Sequence, residues 1–233
     1  MPLSARRTVP QPRQQEPDMA DFYVQYGCGT SAPSGWLNFD ASPRLRLESV
    51  PGVRRLMGAR ALFPPSVQYG DIIAGLPLKA GSAKGLFCSH VLEHLFRDDV
   101  PVALRNSFNV LRPGGIFRLV VPDLGWRTDQ YISNRGDPDA AEVLHHQLHL
   151  RPRERANGVV GKARAAFGLS MHQWMYDEPL LTKLLAEAGF VSIRRASFGD
   201  CEDPYFALVE EERRFVDDGH PELALQCYKP LDT

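Results

Sequence analysis

Neither sign of charge dominates this sequence: 27 Lys and Arg stand against 28 Asp and Glu in 233 residues, a formal net charge of −1. Such a balance gives no general electrostatic pull toward nucleic acid or an anionic membrane surface. No apolar run approaches the ~20 residues that cross a bilayer as a helix, so no membrane span is expected. Cysteine is scarce, and Cys28, Cys88, Cys201 and Cys227 form no Cys-x-x-Cys pair. That spacing argues against a disulfide framework and for reduced, buried thiols. Residues 1–20 hold Pro, Gln and Arg but no apolar core of a secretory signal. They are expected to be a disordered tail, and the protein to be cytoplasmic.

What is present is ordinary for a soluble domain, with 43% hydrophobic and 24% charged residues. Residues 21–233 are long enough to bury one good core and are read as one domain. Its most telling stretch is DFYVQYGCGT at 21–30, an apolar run that breaks into Gly27-Cys28-Gly29. Glycine there tolerates φ > 0 and lets backbone approach a ligand closely. Further strands are predicted at Trp36–Asp40, Val67–Asp71, Gly85–Ser89, Ile116–Val121, Phe190–Ser197 and Leu223–Tyr228. Helical spacing marks 90–95, Val102–Leu111 and DEPLLTKLLAEAG at 177–189, the last with an acidic start and a glycine stop. Strands alternating with helices predict an α/β fold, a mostly parallel sheet with helices on both faces. In such sheets the ligand lies beyond the carboxyl ends of the strands. Gly27, Gly29, Asp40, Asp71, Ser89, His90 and Asp123 all fall at those ends.

A dinucleotide is one possible ligand, because Gly27, Gly29 and Ala32 satisfy Gly-x-Gly-x-x-Ala. Two features oppose it. Pro33 and Gly35 block the helix that would meet a pyrophosphate, and Asp40 follows Gly29 by 11 residues instead of the roughly 20 expected.

Six pieces taken together, YGCGT (26–30), GWLNFD (35–40), GDIIAGLPL (70–78), FCSHVLEHL (87–95), LRPGGIFRLVVPD (111–123) and LLAEAGF (184–190), resemble the class I S-adenosylmethionine-dependent methyltransferases, of the type 11-like kind. The resemblance runs over roughly 21–199, with LALQCYKP similar to the family's antiparallel last strand. It implies a Rossmann-like, seven-stranded methyltransferase sheet and S-adenosyl-L-methionine as cofactor. It implies that Tyr26, Gly27, Cys28 and Gly29 form the turn beside the cofactor's amino-acid part and that Asp40 holds the ribose hydroxyls. Asp71 and Ile72 would flank the adenine, and Ser89 and His90 the sulfonium. Ser31 stands where a third glycine is usual and Gln25 where many members carry an acid.

The acceptor side is read from position. His90 is the first candidate for a catalytic base or substrate ligand, against the plainer reading of a histidine bonded to nearby backbone. His94, one helical turn on, is read as packed. Asp123 either lines the substrate or caps the next helix. His172 and Tyr176, in MHQWMYD, face the acceptor or belong to the core. His145 and His149 have i, i+4 spacing, but without a third ligand they are read as a solvated face, and no metal is expected. Residues 124–171 form a long irregular insertion on the substrate side. Its Arg151, Arg153, Arg155, Lys162 and Arg164 either hold an anionic substrate, such as a phosphorylated sugar or a nucleotide, or simply solvate the surface. Nucleic acid is not expected as acceptor. The expected function is S-adenosylmethionine-dependent methyl transfer to a small-molecule or sugar-containing acceptor; the alternative is a methyltransferase-like binding or assembly module without turnover.

Overall fold

The computed structural model describes residues 22–50, 52–58, 61–149, 171–217 and 219–231. The expected tail at 1–20 and the basic residues of 151–164 lie outside them. Seven strands form one sheet: β1 (Phe22–Tyr26), β2 (Trp36–Asp40), β3 (Val67–Tyr69), β4 (Ala83–Ser89), β5 (Leu111–Val121), β6 (Val191–Arg195) and β9 (Leu223–Tyr228). Their order is β3-β2-β1-β4-β5-β9-β6, and the short β7 (Val216–Asp217) and β8 (His220–Pro221) form a separate ribbon. β1 to β5 pair in parallel, whereas β9 runs antiparallel to both β5 and β6. The last strand is thus antiparallel, as the resemblance implies, and lies between β5 and β6. Cys28, Cys88 and Cys227 are buried, and all four cysteines are free.

The helices are α1 (Pro43–Glu48), α2 (Val53–Met57), α3 (Val100–Val110), α4 (Leu124–Asn134), α5 (Ala140–Gln147) and α6 (Glu178–Glu187). α6 begins where its signals place it: Asp177 accepts from the Leu180 N–H, Pro179 lies in the first turn, and Gly189 follows at φ 103°. Three expectations need correction. Residues 90–95 are not an α-helix but a single 3-10 turn at Leu92–His94. The Glu93 carbonyl, which a helix would use internally, accepts instead from the N–H groups of Gln173 and Trp174, at 2.6 and 3.2 Å. The insertion is not wholly irregular, since α4 and α5 occupy most of 124–147. Nor do helices cover both faces throughout. One face packs Leu104 of α3 and Leu181 and Leu185 of α6 into the main core. On the other face, Tyr23, Trp36, Phe87 and Val120 are covered by Phe206, Val209 and Phe215, from a chain segment holding only 3-10 turns.

That second layer is pinned by polar contacts to the sheet. The Tyr23 hydroxyl donates to Asp203 at 2.7 Å, and the Trp36 indole N–H donates to the Tyr205 carbonyl at 3.1 Å. At its centre is Arg118 of β5, 1% exposed. Its guanidinium donates to Glu210 (2.6 Å), Asp200 (2.8 Å), Gln226 (2.5 Å) and the Ser197 carbonyl (3.1 Å). A buried charge is tolerable only with its donors filled this completely.

No helix among the described residues is long and apolar enough to cross a membrane.

Replacing Arg118 with Met leaves Glu210 buried and unpaired. Chemical denaturation should show a loss of about 3–5 kcal/mol, part of it restored by adding Glu210→Gln. Asp200 gives a pH signature. Burial opposes its ionisation, but hydrogen bonds from Arg194, Arg118 and the Ser197 N–H hold its carboxyl below the ordinary 3.8. Its stabilisation is therefore complete above 3.8 and lost as pH falls through the lower folded value. Asp200→Asn should lower Tm at pH 7, with the gap from the parent protein closing below pH 3.8.

Candidate functional site

At the carboxyl end of β1 the chain turns through Gly27 (φ 65°) and Gly29 (φ 56°). Gly27 is required twice, by its backbone and because a Cβ there would collide with Val91 Cγ2. Gly29 differs: a Cβ there would meet nothing within 4 Å. The open space lies beside an acid. The Gly29 N–H donates to Asp40 Oδ2 at 3.0 Å, and Oδ1 accepts from the Ser42 N–H at 2.8 Å. With four lone-pair sites, the carboxylate keeps acceptor capacity beyond these two bonds. Gln25 explains its own presence in place of an acid. Its side-chain amide donates to the Ser31 carbonyl (3.0 Å) and Asn38 Oδ1 (2.5 Å), tying the glycine loop to β2.

Tyr26 and Cys28 enter this turn through their backbones. The Tyr26 ring is core, its hydroxyl 3.2 Å from Ser107 Oγ, and Cys28 is buried with its N–H on the Phe39 carbonyl. Past β3, Asp71 Oδ1 accepts from the Ile73 N–H at 2.8 Å. Asn106 of α3 donates to the carbonyls of Ile72 (2.7 Å) and Ile73 (3.0 Å), holding that loop against the domain. Ser89 closes β4 with a buried hydroxyl that has no hydrogen-bond partner among the described residues. Space over Gly29, an acid with spare lone pairs and an orphaned hydroxyl all suit a polar ligand lying across these strand ends.

His90 follows at φ 54°, uncommon for a residue with a side chain. Its Nε2 is 3.1 Å from the Arg214 carbonyl and its Nδ1 is 3.2 Å from Glu93 Oε1. Burial pulls its pKa down, but the Glu93 carboxylate, the Arg214 carbonyl and the field of Glu222 outweigh it and raise the value above 6.5. Both ring nitrogens face acceptors, which suits an imidazolium better than a base.

Residues 172–176 are fastened beside this corner. Tyr176 is 0% exposed; its hydroxyl donates to the Leu92 carbonyl at 3.3 Å, and its own carbonyl accepts from the Leu124 N–H. Burial raises its pKa far above the ordinary phenol value of 10. A catalytic role does not fit that placement, because the ring belongs to the core. His172 does lie at the corner, its ring 5.2 Å from His94 and 5.1 Å from His149. Burial lowers its pKa to about 4, so it is neutral at pH 7.

Asp123 takes the capping role: Oδ1 accepts from the Trp126 N–H at 3.0 Å, while Oδ2 pairs with Arg195 at 2.6 Å. Its neighbour α4 is anchored by a buried pair, Arg127 to Glu222 at 2.8 and 3.1 Å. His145 and His146 line a cleft of about 540 Å³ together with Glu142, Gln147 and His220. That cleft contains none of the glycine-turn residues and lies on the α4–α5 side.

Sequence reasoning overlooked Glu93, which is buried between His90 and His94. A carboxylate inside the apolar run HVLEHL was the available signal.

Residues 24–119 match the family model of a methyltransferase domain. The match spans 96 of the 233 residues. This agrees with the expected class I family, with methyltransferase as enzyme class and with S-adenosylmethionine as cofactor. No curated protein sequence matches the chain. Among solved structures it is similar to the CurJ carbon methyltransferase, at 13% identity and TM-score 0.47, over 93% of this chain and 50% of that one. The chain thus spans about half the length of that protein. It is also similar to a possible histamine N-methyltransferase from Thermotoga maritima, at 15% identity and TM-score 0.45, over 90% and 82% of the two chains. A third likeness is to a methyltransferase from Archaeoglobus fulgidus, at 14% and TM-score 0.46, over 90% and 86%.

Gly29→Ala separates ligand space from fold. The left-handed backbone makes it cost roughly 1–2 kcal/mol, so the variant should fold. Its affinity for S-adenosylhomocysteine, read by calorimetry, should fall at least tenfold.

Proposed function

We propose that this protein transfers the methyl group of S-adenosylmethionine to a small-molecule acceptor of anionic or sugar-containing character. What carries this reading is the single unit formed by the glycine turn and Asp40, where the Gly29 N–H grips the carboxylate at 3.0 Å beneath open space. A nucleoside fits there, with Asp40 accepting from its ribose hydroxyls and Asp71 and Ile72 beside its base. Ser89 and His90 then flank the reacting end.

The cofactor supplies an electrophilic methyl group on a sulfonium. The protein's own task is alignment, which can contribute about 7–11 kcal/mol. His90, biased toward its cation, orients an acceptor oxygen or anion. His172 borders the same space as a neutral imidazole. The α4–α5 cleft and the insertion beyond it form the acceptor side of this reading, nucleic acid is not an acceptor in it, and the compartment is the cytoplasm. A binding module without turnover has no observation in its favour.

Calorimetric titration of the full chain with S-adenosylhomocysteine should give saturable one-to-one binding, and NAD should give none. Absence of heat with the former would remove the reading. Asp40→Ala should weaken binding at least tenfold; unchanged affinity would displace the cofactor site from these residues.

A further inference from the structure

Glu93 is 0% exposed, and neither of its carboxylate oxygens has a hydrogen-bond partner among the described residues. An ionised carboxylate so placed is among the costliest groups a fold can bury. Its near neighbours are histidines: His90 Nδ1 at 3.2 Å and His94 Nε2 at 3.9 Å from Oε1. Across from them, His172 Nδ1 is also buried and also without a partner. Three groups of metal-ligand type thus converge, with one ligand atom each from Glu93, His94 and His172 lying within 4.8 Å of one another. Two of the three hold orphaned polar atoms.

The surroundings favour a ligand set over a chance cluster. His94 Nδ1 lies 3.3 Å from the Met171 carbonyl, a contact that places the proton on Nδ1 and leaves the Nε2 lone pair facing Glu93. This is the outer hydrogen bond that orients metal-binding histidines. The two chain segments that supply the ligands are locked together by the Glu93 carbonyl, which accepts from Gln173 and Trp174. The His172 N–H donates to the His149 carbonyl, and the His149 ring stacks on that of His172. His94 is exposed, giving an ion a way in.

We propose that Glu93, His94 and His172 bind a divalent transition-metal ion. Two imidazoles and one carboxylate suit zinc, and they leave a coordination position open. Bonds of about 2.0–2.2 Å put tetrahedral ligands ~3.3 Å apart, so pairs now within 4.8 Å of one another contract by up to about 1.5 Å when the ion enters. The ion answers both structural anomalies at once, neutralising Glu93 and engaging His172. Glu93 and His94 follow the carboxyl end of β4 at Ser89 by four and five residues. The open position would take an acceptor oxygen and lower the pKa of its hydroxyl. That second role rests on the proposed methyl transfer; metal binding does not.

The test uses the full chain, stripped with a chelator and titrated with Zn²⁺ by calorimetry. One equivalent should bind, and Co²⁺ should give the visible absorption of a nitrogen- and oxygen-ligated site. Glu93→Gln and His172→Asn should each weaken zinc at least tenfold, whereas His145→Ala, in the separate cleft, should not. Thermal melts guard against misfolding, because Zn²⁺ should raise the Tm of the parent protein and not that of either ligand variant. No saturable one-to-one binding would overturn the proposal, as would unchanged affinity in both ligand variants. Titration with S-adenosylhomocysteine is run in parallel. Zinc bound without it would leave the metal site standing and remove the methyltransferase reading, and the reverse result would do the opposite.

Discussion

The structure depends most on a charge placed where a sheet usually has none. Arg118 lies mid-strand in β5, and its donors reach Glu210, Asp200, Gln226 and the Ser197 carbonyl. Around Tyr23, Trp36, Phe87 and Val120 no helix among the described residues covers that face of the sheet. The segment from Ser197 to Phe215 does the covering, and a chain held only by 3-10 turns needs strong outside anchors. Arg118 supplies them from beneath, and Tyr23 and Trp36 supply more at its near edge. The consequence reaches the site. The same segment presents the Arg214 carbonyl to His90 Nε2, so the buried guanidinium indirectly sets the ring that borders the reacting end.

A second clamp works from the other side of the strand ends. Glu222, just before β9, accepts from Arg127 of α4 and from the Asp123 N–H. Burial raises the Glu222 carboxyl above its ordinary range, although Arg127 and His90 draw it back. α4, whose one buried residue is Arg127, is therefore attached to the sheet by buried charge rather than by a broad apolar face. Such an attachment fixes orientation well, because a misplaced partner leaves a charge unpaired in the interior.

Much of this was legible in the sequence because local signals agreed with the fold. Trp36–Asp40 reads as a strand by alternation and is one; α6 carries its cap, its proline and its terminal glycine. Gly27, Gly29 and Asp40 converge because two parallel neighbours must end at the same edge. The failures share a cause: tertiary contacts overrode local periodicity. Val91, Leu92 and Leu95 have helical spacing, yet Val91 is needed against Gly27 and the Glu93 carbonyl is needed by Gln173 and Trp174. Tyr176 was indistinguishable from an acceptor-facing residue, since alternation of aromatics does not say which face is inward. The 3-10 cover over Tyr23 and Trp36 has no sequence period at all. Glu93 and its partner His172 are 79 residues apart in the chain, and only the fold brings them together.

His90 carries the sharpest constraint on chemistry. A non-glycine residue at φ 54° persists only where its surroundings over-determine it. Here the N–H continues the ladder to Val120, Nε2 hydrogen-bonds the Arg214 carbonyl, and Nδ1 lies at ion-pair distance from Glu93. Acceptors facing both nitrogens bias the ring toward its cation, which has no lone pair with which to remove a proton. The general base that strand position suggests is thus the one role this geometry denies it. What remains is to orient and to neutralise. An acceptor suited to such a corner either has no proton to lose or reaches it already acidified. The buried Glu93 carboxylate, three residues on, is the group through which a bound cation would do the acidifying.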